Sequence, residues 1–284
     1  MEKILLAHNR HWNRPYNGLY PRDLFQKLLK NLPVKHIQVL QGVRRSGKST
    51  LFKLLINNLI ESGDPMEILY LNLEDPFFIK YEKKPEKIYE IVETAQKLTG
   101  KKVRYLFLDE VHAIKCWEKY AKTVYDNEEF KKIFITGSNS SLLNGEFATL
   151  LTGRYLSHMV HPLSFSELLQ INGIESYLQL VQNRATALAI VDTMLKYGSF
   201  VEVIDSDEEL KRDIISSYYD TIILKDCVSN NHIRDIKSFK ELSYYLISNI
   251  ASPFSYSSLA KATGIHDKSA KEFVQISATG ISAG

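Results

Sequence analysis

Eight residues in the first fifth of the chain have the types and spacing needed to hold a polyphosphate. Residues 42–49 read Gly-Val-Arg-Arg-Ser-Gly-Lys-Ser and match the pattern GxxxxGK followed by Ser or Thr. Glycines at both ends of the loop let main-chain amides wrap phosphate oxygens, which bulkier residues would obstruct. Lys48 is expected to bridge the β- and γ-phosphates, and Ser49 to offer a hydroxyl to Mg²⁺. The residues assigned to nucleotide binding are Gly42, Val43, Arg44, Arg45, Ser46, Gly47, Lys48, Ser49 and Thr50.

Two adjacent acids form a second candidate site. Asp109 and Glu110 follow the apolar run Tyr-Leu-Phe-Leu at residues 105–108. Ligands of open α/β sheets bind beyond the carboxyl ends of the strands, so these acids are expected beside the phosphate loop. Asp109 would hold Mg²⁺ through water, and Glu110 would polarise a water for attack on the γ-phosphate. Phosphate transfer to a hydroxyl does not need that glutamate, so the pair favours hydrolysis.

Two further polar segments could complete the catalytic site. The run at 136–141 could place Ser138 or Asn139 between the acids and the γ-phosphate, or it could be a simple turn; we take Asn139 as the catalytic candidate. Arg154 could supply the cation expected near a transferring phosphoryl group, in its own site or in a neighbour's, or it could form a surface salt bridge. Arg44 and Arg45 are expected to point outward, toward a partner or toward acids.

Three other polar residues near the candidate strands admit ordinary interpretations. His112, two residues beyond the acidic pair, is interpreted as a polar loop residue, with contact to phosphate or a partner as the alternative. Glu74 and Asp75 precede Pro76, where a helix or turn cap is expected. The alternative for these two acids is a switch carboxylate that couples a ligand to the nucleotide.

Short apolar runs alternate with amphipathic stretches through the first half of the chain. Apolar runs predict strands at 37–40, 68–73, 103–108, 133–135 and, more weakly, 155–160. Helical spacing predicts helices at 49–60, 87–98 and 118–125. Runs that are apolar on both faces suit a buried parallel sheet, and their alternation with helices predicts an α/β fold with right-handed crossovers.

The region after Pro162 is predicted to be mostly helical. Two short helices, at 255–263 and 268–274, flank Gly264 and resemble a helix-turn-helix. Lysines at 261, 268 and 271 could contact DNA phosphates there, whereas a protein partner is the alternative.

Together these motifs resemble the archaeal and bacterial AAA+-type ATPases whose phosphate loop reads Gly-Val/Ile-Arg-Arg-x-Gly-Lys-Ser/Thr. The matching segments are residues 42–49, 106–110, 135–138, 151–154, 162–167 and 217–226. The resemblance implies a P-loop core with an added catalytic glutamate and a five-strand parallel sheet in the order 5-1-4-3-2. It also implies a helical lid and then a winged-helix-like domain. The sequence departs from the family near Val274, before a wing hairpin, and this departure is expected either of a truncated form or of an ending that has diverged.

These expectations divide the chain into five regions. They are an N-terminal lead-in helix (1–34), the P-loop ATPase core (35–163), the helical lid (164–235), the winged-helix-like region (236–276) and an unstructured tail (277–284).

Composition narrows the class of protein. The 284 residues are 44% hydrophobic and 24% charged, as in soluble globular proteins, and 36 basic against 33 acidic residues leave a net charge of only +3. Any affinity for DNA must therefore come from a local patch. Cys116 and Cys227 lie in unrelated contexts, and no apolar run approaches the roughly 20 residues that a membrane helix needs. We expect a cytoplasmic protein that does not bind membranes.

The sequence thus predicts an ATPase that uses ATP and Mg²⁺ to drive a conformational change, acting on DNA, on a protein partner or within a homo-oligomer. A nucleotide-gated regulatory switch with negligible hydrolysis is one alternative, and a small-molecule kinase is another. GTP is disfavoured because no guanine-reading Asn/Thr-Lys-x-Asp segment is present.

Overall fold

Five parallel strands form one sheet at the centre of the computed structural model, which describes residues 1–137, 149–229, 231, 233–250 and 252–281. Every neighbouring pair is parallel, and the order is β2-β3-β4-β1-β5. This is the order 5-1-4-3-2 from the opposite end, so the predicted α/β fold and strand order are confirmed. The strands are β1 (Ile37–Gln41), β2 (Ile68–Asn72), β3 (Tyr105–Asp109), β4 (Lys132–Gly137) and β5 (Tyr155–Met159).

The central strands are apolar on both faces because both faces are covered. Leu106 and Leu108 of β3 belong to one hydrophobic cluster, and Phe107 between them belongs to another. The ring of Phe107 stacks on Phe134 of β4 with 4.3 Å between centroids, and Phe52 meets it edge-on at 5.1 Å. Alternate residues of one strand therefore bury area on opposite sides of the sheet.

The helices associated with this sheet come from the first half of the chain. The third helix starts directly at the phosphate loop, and the fourth and fifth lie within two residues of their predicted bounds. The helices are α1 (Glu2–His8), α2 (Asp23–Lys30), α3 (Lys48–Ser62), α4 (Lys87–Thr99) and α5 (Trp117–Asp126).

The N-terminal segment has more structure than the single lead-in helix expected over 1–34. It forms α1, a short 3₁₀ turn and α2, and its side chains bond the outer edge of β2. Asn9 Oδ1 accepts from the amide of Tyr70 at 2.7 Å, and Trp12 Nε1 donates to the carbonyl of Ile68 at 2.9 Å. An edge strand leaves main-chain groups unpaired. Here side chains satisfy those groups in place of a further strand.

All described regular structure after β5 is helical. A helix over Tyr256–Thr263 ends at Gly264, whose φ is 71°, and a second helix begins at Asp267, which is the arrangement expected of a helix-turn-helix. The elements are α6 (Phe165–Ile171), α7 (Tyr177–Gln182), α8 (Arg184–Tyr197), α9 (Val201–Ile204), α10 (Glu208–Thr221), a π-helical segment (Ile222–Ser229), α11 (Ile236–Ser248), α12 (Tyr256–Thr263) and α13 (Asp267–Ile281).

The last helix corrects one expectation. Helix α13 continues to Ile281, so the prediction of an unstructured segment from residue 277 is wrong for its described part. Ser277 is buried, and its hydroxyl lies 3.2 Å from that of Ser243 on α11. Packing against α11 keeps the polypeptide helical where small residues gave no signal. The winged-helix-like assignment of 236–276 stays a prediction. None of the helices in the described ranges is both long and apolar enough to cross a membrane.

We expect Asn9→Ala to destabilise the fold. The buried side chain of Asn9 accepts from Tyr70 and donates to the carbonyl of Leu5 at 2.8 Å. Its loss leaves a buried amide of β2 unpaired, at a cost of about 1–3 kcal/mol in the free energy of unfolding. Urea denaturation followed by circular dichroism measures this, with the exposed Asn13→Ala as the matched control. Equal midpoints for the two variants would contradict this role of Asn9.

Candidate nucleotide-binding site

The phosphate loop joins β1 to α3 and has two positions that only glycine fits. Gly47 has a φ of 97° at the N-terminus of α3. Gly42 lies so close to the carbonyl of Val160 that a Cβ atom would overlap it. Between them, Ser46 is fully buried and its hydroxyl has no hydrogen-bond partner among the described residues. A buried hydroxyl without a partner is costly, and a phosphate oxygen in the loop could accept from it.

Lys48 closes this loop on itself. Its ammonium group is buried and donates to the carbonyls of Gly42 and Val43, both at 3.1 Å. It also lies 3.6 Å from Oε1 of Glu110. To reach a phosphate, Lys48 has to exchange these carbonyls for phosphate oxygens.

Asp109 ends β3 next to the phosphate loop and is almost fully buried. Its carboxylate accepts hydrogen bonds from Tyr70 at 2.6 Å, from the hydroxyl of Thr136 and from Ser49. Burial, and after it the neighbouring charge of Glu110, raises the pKa of Asp109. The hydrogen bonds from the three hydroxyl groups lower the pKa of Asp109, which offsets part of this rise, and they fix the orientation of the carboxylate.

Ser49 and Asp109 lie in contact and have the oxygen atoms that a magnesium site needs. A carboxylate and a hydroxyl are oxygen donors, and Mg²⁺ in nucleotide sites keeps several waters and takes few protein ligands. Within the described ranges, no three His, Cys, Asp or Glu side chains come together as a metal site. Phosphate oxygens and water would therefore have to complete the coordination.

Glu110 turns out of the strand direction because its backbone is left-handed, with φ and ψ both 55°. Its amide donates to the Thr136 hydroxyl at 2.9 Å, while its side chain faces Lys48. Burial opposes ionisation of Glu110, but the adjacent His112 and the charge of Lys48 outweigh burial, so the pKa is lowered. The site thus holds an ionised carboxylate next to the phosphate loop.

Alternating charges continue outward from Glu110. His112 Nδ1 lies 3.3 Å from Glu110, and its Nε2 lies 3.4 Å from Glu74, which in turn receives hydrogen bonds from Arg44 at 3.0 and 3.3 Å. Burial alone would lower the pKa of His112, but the two carboxylates raise it to about 9. The contact with His112, helped by Arg44, lowers the pKa of Glu74 to about 2. His112 is therefore part of the site and not an unengaged loop residue.

Glu74 and Asp75, the two acids that follow β2, have different roles. Asp75 caps the turn at Pro76 by accepting from the amide of Phe77 at 2.9 Å. Glu74 bonds Arg44 of the phosphate loop instead. Capping therefore belongs to Asp75, and contact with the site belongs to Glu74.

A cavity of about 360 Å³ opens between the phosphate loop and the helical region after β5. Arg45 Nη1 lies 2.5 Å from Glu202, and the guanidinium group lies over the ring of Tyr218 at 4.4 Å. Tyr20 donates to the carboxylate of Asp205 at 2.9 Å. The cavity lies among Gly18, Tyr20, Arg45, Gly47, Lys48, Ser49, Thr50, Glu110, Val201, Glu202, Asp205 and Tyr218.

Arg154 lies at the amino-terminal ends of the strands, whereas the phosphate loop lies at their carboxyl ends. Its carbonyl accepts from the amide of Ile37, the first residue of β1, whereas the phosphate loop follows the last residue. The two ends of a five-residue strand, at about 3.3 Å per residue, are roughly 13 Å or more apart. Arg154 instead pairs with Asp126 at 2.8 Å. Because the start of β5 lies at the opposite ends of the strands from the phosphate loop, a catalytic role of Arg154 at the nucleotide of its own subunit is excluded. A role at the nucleotide of a neighbouring subunit stays open.

The sensor candidates Ser138 and Asn139 lie outside the described residues. Among the other predicted residues, Lys48, Ser49, Asp109 and Glu110 come together beside the phosphate loop. Thr50 lines the cavity with them.

Sequence reasoning missed Tyr70 and Arg22. Tyr70 stands in an apolar strand where nothing marks its hydroxyl as a partner of an acid. Arg22 is buried and donates to the carbonyl of Ser46 in the phosphate loop at 2.8 Å. An arginine directly before the first turn of a helix opposes the positive end of the helix dipole, and this mismatch could have marked it.

We expect Glu74→Gln to lower the pKa of His112 from about 9 toward its ordinary value of 6.5, because one of the two carboxylates that stabilise the charged imidazole is lost. NMR titration of the imidazole signals measures the change. Glu82→Gln, at an exposed acid paired with Lys115, is the control. A pKa of His112 that is the same in wild type and Glu74→Gln would show that Glu74 does not hold it.

Comparison with known proteins agrees with this geometry. Residues 34–169 match the AAA domain family, and residues 189–277 match a family described as a domain of unknown function. An uncharacterized protein of Haemophilus influenzae is 34% identical over 231 residues, which cover 80% of this chain and 55% of that protein. One of Methanocaldococcus jannaschii is 32% identical over 242 residues, covering 84% and 52%. The chain thus spans about half the length of these relatives.

Among solved structures, C. elegans PCH-2 is 14% identical with a TM-score of 0.40, covering 94% of this chain and 73% of that one. Likeness at this level supports no assignment. Residues 34–169 match the AAA domain family, and the five-stranded parallel sheet in the order β2-β3-β4-β1-β5 is that of a P-loop nucleoside triphosphatase fold.

Proposed function

We propose that this chain binds ATP with Mg²⁺ and hydrolyses it, and that hydrolysis changes the packing of the helical region against the sheet. The observation that carries the proposal is the convergence of Lys48, Asp109 and Glu110 beside one phosphate loop. The AAA domain match supports nucleotide binding. Hydrolysis is inferred from the ionised glutamate next to the loop.

In this mechanism Lys48 leaves the loop carbonyls and binds β- and γ-phosphate oxygens. Ser49 and Asp109 would hold Mg²⁺, which neutralises charge on the phosphates when it is bound. Glu110 accepts a proton from water as the water oxygen attacks the γ-phosphorus. The bond from that phosphorus to the β–γ bridging oxygen breaks, and ADP and phosphate are released.

The lid would sense this change through the phosphate loop. We assign the core to 35–163, the lid to 164–235 and a winged-helix-like region to 236–276. Arg45 belongs to the loop but bonds Glu202 and Tyr218 of the lid. A shift of the loop on phosphate release would therefore pull directly on helices α9 and α10. Asn139 stays a proposed sensor.

A nucleotide-gated switch with negligible hydrolysis is the second candidate. One observation favours it: Glu110 is flanked by Lys48 and His112, and a carboxylate engaged on both sides is a poor base until one contact breaks. Single-turnover measurements with excess protein separate the two functions. A switch would retain intact ATP over many minutes, whereas the proposed ATPase would form ADP.

The target of the proposed motion is DNA or a protein partner. The helix-turn-helix exposes Lys261, Lys268 and Lys271, but Asp267 and Glu272 are exposed on the same α13. A mixed face of this kind suits either partner. Salt-dependent binding of duplex DNA would favour DNA.

We expect Glu110→Gln to keep ATP affinity within about threefold and to reduce kcat by about 10²–10⁴, because the amide cannot accept the water proton. Lys48→Ala is expected to weaken ATP binding at least about 100-fold, or about 2.8 kcal/mol. Calorimetry and phosphate release measure the two effects. Glu90→Gln, at an exposed acid on α4, is the control for charge loss.

The two variants test different steps. If Glu110→Gln hydrolyses ATP at the wild-type rate, the base is misassigned. If the wild-type protein takes up no adenine nucleotide with magnesium present, the whole proposal fails.

We expect Arg154 to act on the nucleotide of a neighbouring subunit. Arg154→Ala should then lose about 10³-fold or more in kcat. Mixing it with Glu110→Gln should restore activity, since some interfaces combine an intact Glu110 with an intact Arg154. The control is Arg104→Ala, at an exposed arginine paired with Glu67 on the same edge of the sheet. Full activity of Arg154→Ala alone would contradict the role.

A further inference from the structure

Arg22 is a buried arginine whose three nitrogens bind three separate parts of the chain. Nε donates to Glu167 at 3.0 Å, Nη1 to the carbonyl of Ser46 at 2.8 Å, and Nη2 to the carbonyl of His161 at 2.6 Å. The charged side chains of Arg22 and Glu167 are each only 4% exposed. A planar guanidinium spreads its donors over three nitrogens and so reaches three separated acceptors, whereas all the donors of a lysine lie on one nitrogen.

The bond to Ser46 acts on the phosphate loop through one peptide plane. The carbonyl of Ser46 and the amide of Gly47 belong to the same trans peptide, so they point in opposite directions. Arg22 holds the carbonyl, and the Gly47 amide is thereby directed away from Arg22. Gly47 lines the cavity, and a Cβ on it would overlap the Arg22 guanidinium. The absence of a side chain at this glycine therefore makes room for the arginine.

The other end of the arginine is held by the start of the lid. Glu167 accepts from Arg22, from the amide of Asp23 at 2.7 Å and from the amide of Ser164 at 2.8 Å. Ser164 also donates to the Asp23 carboxylate at 3.0 Å. Arg22 and Asp23 at the start of α2 are thus hydrogen-bonded to the cap of α6, and the arginine has little freedom to turn.

We propose that Arg22 is a positioning residue for phosphate binding: it fixes the 46–47 peptide so that the Gly47 amide faces the β-phosphate, and Glu167 holds it in that position. The proposal rests on the proposed nucleotide binding but not on hydrolysis. It gives the N-terminal segment a part in the site that no loop motif indicates. It also makes the geometry of the phosphate loop depend on the seating of helix α6.

The test compares affinities for ADP and AMP, because only ADP carries a β-phosphate. The double variant Arg22→Met with Glu167→Gln removes both buried charges and keeps a side-chain oxygen that can accept from the amides of this cap. It cannot restore the bond to Ser46. We expect its ADP affinity to fall at least tenfold and its AMP affinity to change less than threefold, so that the preference for ADP collapses. Calorimetry measures ADP, and competition against a fluorescent nucleotide measures AMP.

Two further variants make the test decisive. Arg22→Lys keeps the charge for Glu167 but has one nitrogen for three acceptors, so it should fold and also lose preference for ADP. Arg104→Met, at an exposed arginine near the start of β3, should keep the wild-type ratio. A folded Arg22 variant with the wild-type ratio of ADP to AMP affinity would overturn the proposal and leave Arg22 a structural brace. A wild-type protein that binds neither nucleotide would overturn the proposed function, and this inference with it.

Discussion

The parallel pairing of β1, β4 and β3 is the constraint on which the candidate site depends. Gln41, the last residue of β1, is aligned with Gly137 of β4, and Leu108 of β3 with Ile135. The carboxyl ends of parallel strands lie on the same side of the sheet, so the loop after β1 and the acids at the end of β3 must lie close together. The parallel pairing of β5 with β1 places Arg154 at the opposite ends of the strands. One hydrogen-bond pattern therefore both assembles the site and excludes a residue from it.

Alternating charge then orders the side chains at that edge. Lys48, Glu110, His112, Glu74 and Arg44 follow one another with opposite signs at each step. Lys48 and Glu110 are the least exposed of these side chains, so an unpaired charge would be most costly there. The phosphate loop contributes both ends of this series. A nucleotide that draws Lys48 away would leave Glu110 with His112 as its remaining cationic contact.

The N-terminal segment and the start of the helical region after β5 meet at the phosphate loop. Arg22 and Glu167 are 145 residues apart in the chain, yet they form a buried pair against the loop backbone. In addition, Arg45 of the loop bonds Glu202, and Tyr20 of the N-terminal segment bonds Asp205. The loop is thus held between regions that precede and follow the core. Any change in loop geometry has two direct routes into the helical region.

The sequence by itself indicated the strands and the loop and acid motifs, because apolar runs and fixed spacings are local signals. The strand order was implied by the resemblance to AAA+-type ATPases, and the observed pairing confirms it. It also indicated most of the helices, but not that the N-terminal segment forms two of them, and not the end of α13, where Ser277 packs against Ser243. Tertiary structure alone decided that Tyr70 bonds Asp109, that His112 sits between two carboxylates and that Arg22 holds the loop. These contacts join residues distant in the chain, and their energies depend on burial and direction, which spacing along a sequence does not contain.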